Sequence, residues 1–313
     1  MRVDELLASQ RPVFSVEFYP PKTEAGVANL FETVAALGPL EPDYVSVTYG
    51  AGGATRDGTV EIAERIKREH GLEVMAHLSC VGETRDGLTA ILDRFRGIGI
   101  ENVLALRGDP PRGETDFSAP EDGLASAAEL TGFITDSYGF AIGGACFPEV
   151  HPEAESPEAD LDYLKTKVDA GARFLITQLF FDNRAYFDFV AAARERGIDV
   201  PIIPGVIPIA SFGQVARICD LCDASIPAEL ERSMESLGGD EEAEALLGVA
   251  FAARQCEELL AAGAPGIHFY ALNRAPGTRA VLAALRTSRP WERVGAPAPE
   301  HVAAPAAGPG PGG

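Results

Sequence analysis

Short runs rich in β-branched and aromatic residues alternate along this chain with longer stretches whose apolar residues recur every three or four positions. That alternation is the pattern of repeated βα units on a parallel sheet. Eight runs predict strands: Val13 to Phe18, Tyr44 to Thr48, Val74 to Ser79, Asn102 to Leu106, Ala141 to Phe147, Phe174 to Leu179, Val200 to Val206 and Gly266 to Leu272. A helical pattern follows each. In Glu61-Ile-Ala-Glu-Arg-Ile-Lys67, for example, Ile62 and Ile66 share one face and Gly71 supplies the stop. Eight such units predict an α/β fold, a single (β/α)8 TIM barrel. An open doubly wound sheet is the second architecture compatible with the pattern.

The seventh unit is the longest. Between Ser211 and Ala264 three helical pieces are broken at Pro227 and at Gly238-Gly239, which predicts a helical elaboration after strand seven rather than a second domain. After Arg289 the chain turns to Ala, Pro and Gly, too poor in large apolar groups to order itself. The expected organisation is one domain over residues 1–289 and a disordered tail over 290–313.

Composition supports a large core, with 46% hydrophobic residues among 313. The 47 acidic against 26 basic residues give a net charge of −21, which opposes binding to nucleic acid or to an anionic membrane surface. An anionic ligand must therefore be held by local cations or helix N-termini. The N-terminus carries two acids and no apolar core of a signal peptide, and no apolar run reaches membrane-spanning length, so a cytoplasmic protein is expected. Five scattered cysteines form no disulfide framework. Cys219 and Cys222 have metal-knuckle spacing but lack a second pair, so no metal is expected.

A barrel enzyme gathers its chemistry at the carboxyl ends of its strands. Here those ends carry Glu17, Thr48, His77, Arg107 with Asp109, Phe147 to His151, Gln178, and His268 to Arg274. Glu17 among apolar neighbours reads as a structural carboxylate or as a proton donor whose affinity for its proton is raised by burial; the donor is the preferred reading. Asp109 and Arg107 read as a functional pair or as a local ion pair in a Gly-Pro turn. His77 reads as a ligand contact rather than a metal ligand. Gly50-Ala-Gly-Gly53 is a tight turn, not a dinucleotide fingerprint, and by spacing alone Lys167 is an ordinary surface lysine.

Taken in order, Val16-Glu17-Phe18-Tyr19-Pro20-Pro21, Ser46-Val-Thr48-Tyr-Gly, His77-Leu-Ser-Cys80, Leu106-Arg-Gly-Asp109, Pro148-Glu-Val-His-Pro-Glu153, Ile176-Thr-Gln178 and His268-Phe-Tyr270-Ala-Leu-Asn-Arg274 resemble the bacterial type of 5,10-methylenetetrahydrofolate reductase. The resemblance spans about residues 12 to 288 and leaves out the tail. It implies an FAD enzyme that passes hydride from NAD(P)H to methylenetetrahydrofolate in two alternating half-reactions, supplying methyl groups for methionine synthesis. Glu17 then matches the acid that protonates the departing ring nitrogen, and Asp109 a carboxylate acting electrostatically beside pterin and flavin. Thr48 and His77 resemble flavin contacts. Arg107 and Lys167 resemble the positive charges for the flavin side chain and its phosphates, Asp160 a partner of FAD hydroxyls, and Ala145, Phe147 and His151 the adenosine end.

Gln178, Gln214, Tyr270 and Arg274 resemble the shared folate and nicotinamide pocket. By the same resemblance a homo-oligomer is expected, and a C-terminal regulatory domain like that of larger eukaryotic members is not. Three positions depart from the family pattern: Phe147 replaces tyrosine, Tyr163 asparagine, and Ile218 an aromatic. Phe147 keeps a stacking ring but loses a hydroxyl hydrogen bond of about 1 kcal/mol net. Two other classes compete. A barrel lyase or aldolase needs a strand-end lysine or a metal cluster, and the strand ends show neither. A folate- or flavin-binding barrel with a different hydride source, or with no turnover, has no need of both Glu17 and Asp109.

Overall fold

The computed structural model of the protein describes residues 1–9, 11–49, 53–108 and 119–293. Eight parallel strands close into a barrel in sequence order: β1 Val13–Phe18, β2 Tyr44–Val47, β3 Val74–Ser79, β4 Asn102–Leu106, β5 Ala141–Cys146, β6 Phe174–Leu179, β7 Ile202–Val206 and β8 Gly266–Tyr270. The closed order decides against an open doubly wound sheet. α1 Val3–Leu7 precedes the barrel, and the other helices are α2 Glu24–Leu37, α3 Gly53–Arg65, α4 Arg85–Gly97, α5 Ala127–Ser137, α6 Pro157–Asp169, α7 Asn183–Glu195, α8 Phe212–Cys222, α9 Ala228–Glu235, α10 Glu241–Ala261 and α11 Ala275–Ser288.

Local chemistry sets the boundaries. Thr23, Thr84, Ser126, Ser156, Asp182 and Asp240 each accept a backbone N–H in the first turn of the helix they precede. The helix containing Ile62 and Ile66 runs on through a π-helical turn and stops at Gly71, whose φ of 66° is left-handed. β7 begins two residues later than the apolar run, because Pro201 has no N–H for the ladder. β8 ends at Tyr270, since Leu272 (φ 48°) and Asn273 (φ 55°) turn the chain left-handed. The insertion after β7 is α8, α9 and α10, separated where Pro227 and the positive-φ pair Gly238-Gly239 interrupt the helical pattern.

Apolar burial occurs on three levels. The largest cluster lies between the strands' outer faces and the helices, with Phe18, Leu30, Phe95, Phe180 and Phe269 fully buried. A second fills the amino end of the barrel interior with Tyr44, Met75, Leu104, Phe174, Ile176 and Ile203, and α1 plugs it with Val3 and Leu6. The plug is pinned by Val3 N–H donating to Asn102 Oδ1 at 2.7 Å. The third joins β6 and β7 to the inserted helices through Phe181, Ile207, Ile209, Val215, Leu230 and Met234.

Above the apolar layer the interior opens at the carboxyl ends. The rim is tied there by Asn273, whose side chain accepts from Tyr19 N–H at 3.1 Å and donates to Tyr19 O at 2.9 Å. One more helical turn, Pro290–Arg293, follows where the tail was expected to start, with the Trp291 ring 5.7 Å from Phe14. Residues 294–313 lie outside the described residues. No helix among the described residues is long and apolar enough to cross a membrane.

Gly205 in β7 makes room for the rim. A Cβ there would sit 2.4 Å from the backbone oxygen of Thr177 and 2.6 Å from the Tyr270 ring. Backbone in a closed sheet yields little, so Gly205→Ala is expected to cost about 1–3 kcal/mol in urea unfolding. A variant as stable as the parent would show that the β6–β7–β8 corner is looser than described.

Candidate active site

Period-two alternation decides what the barrel interior holds. Val13, Ser15 and Glu17 lie on one face of β1, and Val13 belongs to the interior cluster, so all three point inward. Register then sets their neighbours. Ser15 lies beside Tyr44 of β2 and His268 of β8, and Glu17 beside Ser46 and Tyr270. Two polar layers therefore cross the interior, Tyr44–Ser15–His268 below and Ser46–Glu17–Tyr270 above. They are linked by His268, whose Nδ1 is 2.8 Å from Ser15 Oγ and whose Nε2 is 3.2 Å from Glu17 Oε2. His77 of β3 brings Nε2 to 3.4 Å from the same oxygen, and Ser46 Oγ donates to it at 3.5 Å. Tyr270 donates to Thr177 O at 2.7 Å.

Over these layers lies a cleft of about 810 Å³. Glu17, Thr48, His77, Gln178 and Tyr270 line its floor side; Arg107, Ala145, Phe147, His151, Asp160 and Lys167 line it toward α6. Leu104, Leu106 and Ile176 supply apolar wall, and Tyr163 and Ile218, two of the departures, face it as well. Gln214 and Arg274 do not line it: Gln214 sits one turn before Ile218 on α8, and Arg274 is exposed at the start of α11. Asp109 and part of Gly50-Ala-Gly-Gly53 lie outside the described residues.

Electrostatics corrects one expectation. Burial pushes the Glu17 carboxyl up, as anticipated, but the hydrogen bond from His268, the charges that His77 and His268 carry when protonated, and the Ser46 hydroxyl together hold it below the usual range. These partners come from other strands, which is why reading β1 alone pointed the wrong way. His77 goes down to about 4, chiefly through burial, and the negative charge of Glu17 only partly offsets this. At neutral pH His77 is thus an uncharged ring, and its Nε2 is buried without a hydrogen-bond partner.

The opposite end of the cleft carries two cations, Lys167 and Arg107, beside two carboxylates, Glu153 and Asp160. Lys167 is 6% exposed, not the surface lysine its spacing suggested; its Nζ donates to Ala145 O at 2.6 Å and lies 5.2 Å from the Tyr163 ring. Burial lowers its pKa, against the pull of Cys146 and Asp160. Arg107 is gripped by both carboxylate oxygens of Glu153. Asp160 accepts the backbone N–H of His151 at 3.0 Å, and the Phe147 ring meets His151 edge-on at 4.5 Å. Val150 between them is held at φ 73°, a conformation β-branched residues rarely adopt, so this loop is strained where it borders the cleft.

Sequence reading missed Ser15, Ser46, Glu153 and the part played by His268. The signal for three of them was present: Ser15 with Glu17, Tyr44 with Ser46, and His268 with Tyr270 are polar residues spaced by two within buried strands. The described residues hold no cluster of three or more His, Cys, Asp or Glu placed to bind a metal.

The family model for methylenetetrahydrofolate reductase matches residues 2–286. The chain belongs to the methylenetetrahydrofolate reductase family. It is 41% identical over 267 residues to 5,10-methylenetetrahydrofolate reductase of Salmonella typhimurium, covering 85% of this chain and 88% of that protein. With methylenetetrahydrofolate reductase (NADH) 1 of Arabidopsis thaliana it shares 39% over 311 residues, 93% of this chain and 52% of the other. The chain thus spans about half the length of the plant relatives it matches. Among solved structures, an uncharacterized protein from Clostridium thermocellum that binds two copies of 5-methyl-5,6,7,8-tetrahydrofolic acid shares the fold, with a TM-score of 0.61 and 16% identity over 92% of this chain and 99% of that one.

Burial of His77 and Glu17 predicts a pH dependence of stability in this family member. The unfolded chain protonates His77 near 6.5, whereas the folded protein refuses that proton until about 4, so the unfolded state binds more protons in between. Stability therefore falls as pH drops through this window. The lowered carboxyl of Glu17 acts in the same direction, its contribution being lost on acidification. Urea unfolding at neutral pH and near pH 4.5 is expected to show a loss that is about 2 kcal/mol smaller in His77→Gln. Equal losses in both proteins would contradict the burial of a neutral His77.

Proposed function

We propose that the protein reduces 5,10-methylenetetrahydrofolate to 5-methyltetrahydrofolate with NAD(P)H, using FAD, in the cleft above Glu17. The observation that carries this reading is a partly buried carboxyl at the floor of a large cleft whose other end holds a buried lysine, in a chain that aligns with most of a bacterial methylenetetrahydrofolate reductase. The names of the plant relatives favour NADH as the reductant. A cytoplasmic, homo-oligomeric enzyme remains part of the proposal.

The residues present fit FAD. Lys167 spends one of its three donors on Ala145 O and has others for phosphate oxygens, which matters in a protein of net charge −21. His77 Nε2 is a buried polar atom on the cleft wall that lacks a hydrogen-bond partner, a position suited to a ligand's polar edge. Thr48 and His77 are assigned to the ring system, Arg107 and Lys167 to the side chain and phosphates, Asp160 to hydroxyls, and Ala145, Phe147 and His151 to the adenosine end. When bound, FAD supplies reversible carriage of a hydride between the two substrates.

Glu17 supplies the proton. The five-membered ring of the folate opens to an electrophilic iminium only when its departing nitrogen is protonated. Because His268, His77 and Ser46 hold Glu17 below the usual carboxyl range, the acid form must be favoured by the ligands themselves. A substrate that expels water from the cleft does this by withdrawing solvation from the carboxylate. Gln178 and Tyr270 border the same space and are assigned to orient folate and nicotinamide in turn. Sharing one pocket makes the substrates alternate. Asp109 is assigned an electrostatic part, its negative charge favouring cationic folate species.

The purified protein is expected to be yellow, to bleach with NADH under anaerobic conditions, and to regain its flavin band on adding methylenetetrahydrofolate. Glu17→Gln is expected to slow the folate-dependent return at least about 100-fold while bleaching by NADH survives. A colourless protein that takes up no FAD would overturn the flavin reading, and flavin that bleaches but never returns with folate would mark a binding barrel.

A further inference from the structure

The two oxygens of Glu17 are not equivalent. His268 Nε2, His77 Nε2 and Ser46 Oγ all approach Oε2, and among the described residues no protein group is bonded to Oε1. The side chain keeps about a fifth of its surface exposed (19%), and it lines the cleft. His268 by contrast is fully buried, and both of its ring nitrogens are engaged, Nδ1 with Ser15 and Nε2 with Glu17.

That pair of contacts determines the tautomer. Were the proton on Nδ1, the Nε2 lone pair would face an anionic carboxylate at 3.2 Å with no hydrogen between them. With the Ser15 hydroxyl donating to Nδ1 at 2.8 Å, Nε2 carries the hydrogen and donates to Oε2. The Ser46 hydroxyl donates to the same oxygen. Oε2 is thereby saturated with donors, and a proton added to Glu17 has one oxygen left to occupy.

We propose that Ser15 and His268 are positioning residues that hold Glu17 Oε2 with fixed donors, so that the transferable proton resides on Oε1, toward the cleft. The chemical consequence rests on the reading of Glu17 as proton donor; the geometry itself needs no ligand. In the transfer the O–H bond at Oε1 breaks, its electron pair stays on the carboxylate, and the proton forms the new N–H bond of the departing nitrogen. The negative charge then appears on a group already receiving N–H from His268 and O–H from Ser46, with no reorganisation of the barrel. His268 keeps its own proton throughout.

The other titratable groups facing Glu17 among the described residues are Tyr44 on β2, His77 on β3, and Tyr270 beside His268 on β8. Burial pushes both tyrosines up and His77 down to about 4. Neither tyrosine changes charge in the acidic range where Glu17 titrates; His77 does, so the Glu17 carboxyl is followed by its own signal rather than through a global probe.

The test begins on the protein without folate or NADH. In 15N-histidine-labelled wild-type protein above neutral pH, His268, identified by elimination against Gln substitutions at His70, His77, His151 and His301, is expected to be protonated at Nε2 and bare at Nδ1. Titration of the 13C-labelled Glu17 carboxyl is expected to show its proton affinity rising at least tenfold in Ser15→Ala and in His268→Met. His268→Gln, which restores an N–H donor, is expected to return part of that shift. The pH profile of folate-dependent flavin reoxidation should move alkaline by the same amount in Ser15→Ala.

A protonated Nδ1 in the wild type overturns the proposal, as does an unchanged Glu17 titration in a folded Ser15→Ala. If His268→Met does not fold, the tautomer and the Ser15→Ala titration still decide. The expected tautomer and titration in a protein that never turns over folate would leave the positioning intact and remove the functional reading instead.

Discussion

Everything at the carboxyl end of this barrel depends on keeping one carboxylate, Glu17, inside it. An isolated charge in such a place loses several kcal/mol of solvation, and proteins normally neutralise it instead. Here the loss is offset by donors that the barrel's own register delivers: His268 from the strand on one side and Ser46 from the strand on the other. A shift of one strand by a single residue would turn these groups outward and leave Glu17 unpaired. The closure of the barrel, the apolar plug beneath it and the spacing of polar residues by two therefore serve the same end.

The same constraint organises the remaining space. Because the polar layers occupy the middle of the interior, ligands are confined to the carboxyl-end cleft, where Leu104, Leu106 and Ile176 form apolar wall and Lys167, itself buried, places a cation in an otherwise acidic protein. Lys167 is held by the Ala145 carbonyl, and the strained turn at Val150 sets His151 against Asp160. Net charge opposes anionic ligands from a distance, so recognition rests on these short-range contacts. Arg107 already grips Glu153, so a phosphate placed there would compete with that carboxylate for the guanidinium.

Much of this was legible in the chain. The eight βα units, the helical insertion broken at Pro227 and Gly238-Gly239, and the cleft positions of Glu17, His77, Arg107 and Tyr270 follow from local pattern and ordered motifs. Strand ends were less legible, because Leu272 and Asn273 turn left-handed for reasons of rim packing that their side chains do not announce. The proton affinity of Glu17 was misread, since its sign depends on groups 29 and 251 residues away. Lys167 shows the converse: spacing on its helix describes a surface residue, and only the packing of α6 on β5 buries it. Gln214 and Arg274 were expected at the pocket, and the structure leaves them off its lining.

The central claim is that the cleft above Glu17 is where FAD and folate meet, with Oε1 as the acidic oxygen. The most direct test is a crystal structure of the protein with FAD and 5-methyltetrahydrofolate bound. The account predicts the ring systems stacked in the cleft, phosphate near Lys167, and Glu17 Oε1 within hydrogen-bond reach of the folate, directly or through one water, while Oε2 stays on His268. A folate seated elsewhere, or one approached by Oε2 after loss of the His268 contact, would contradict it.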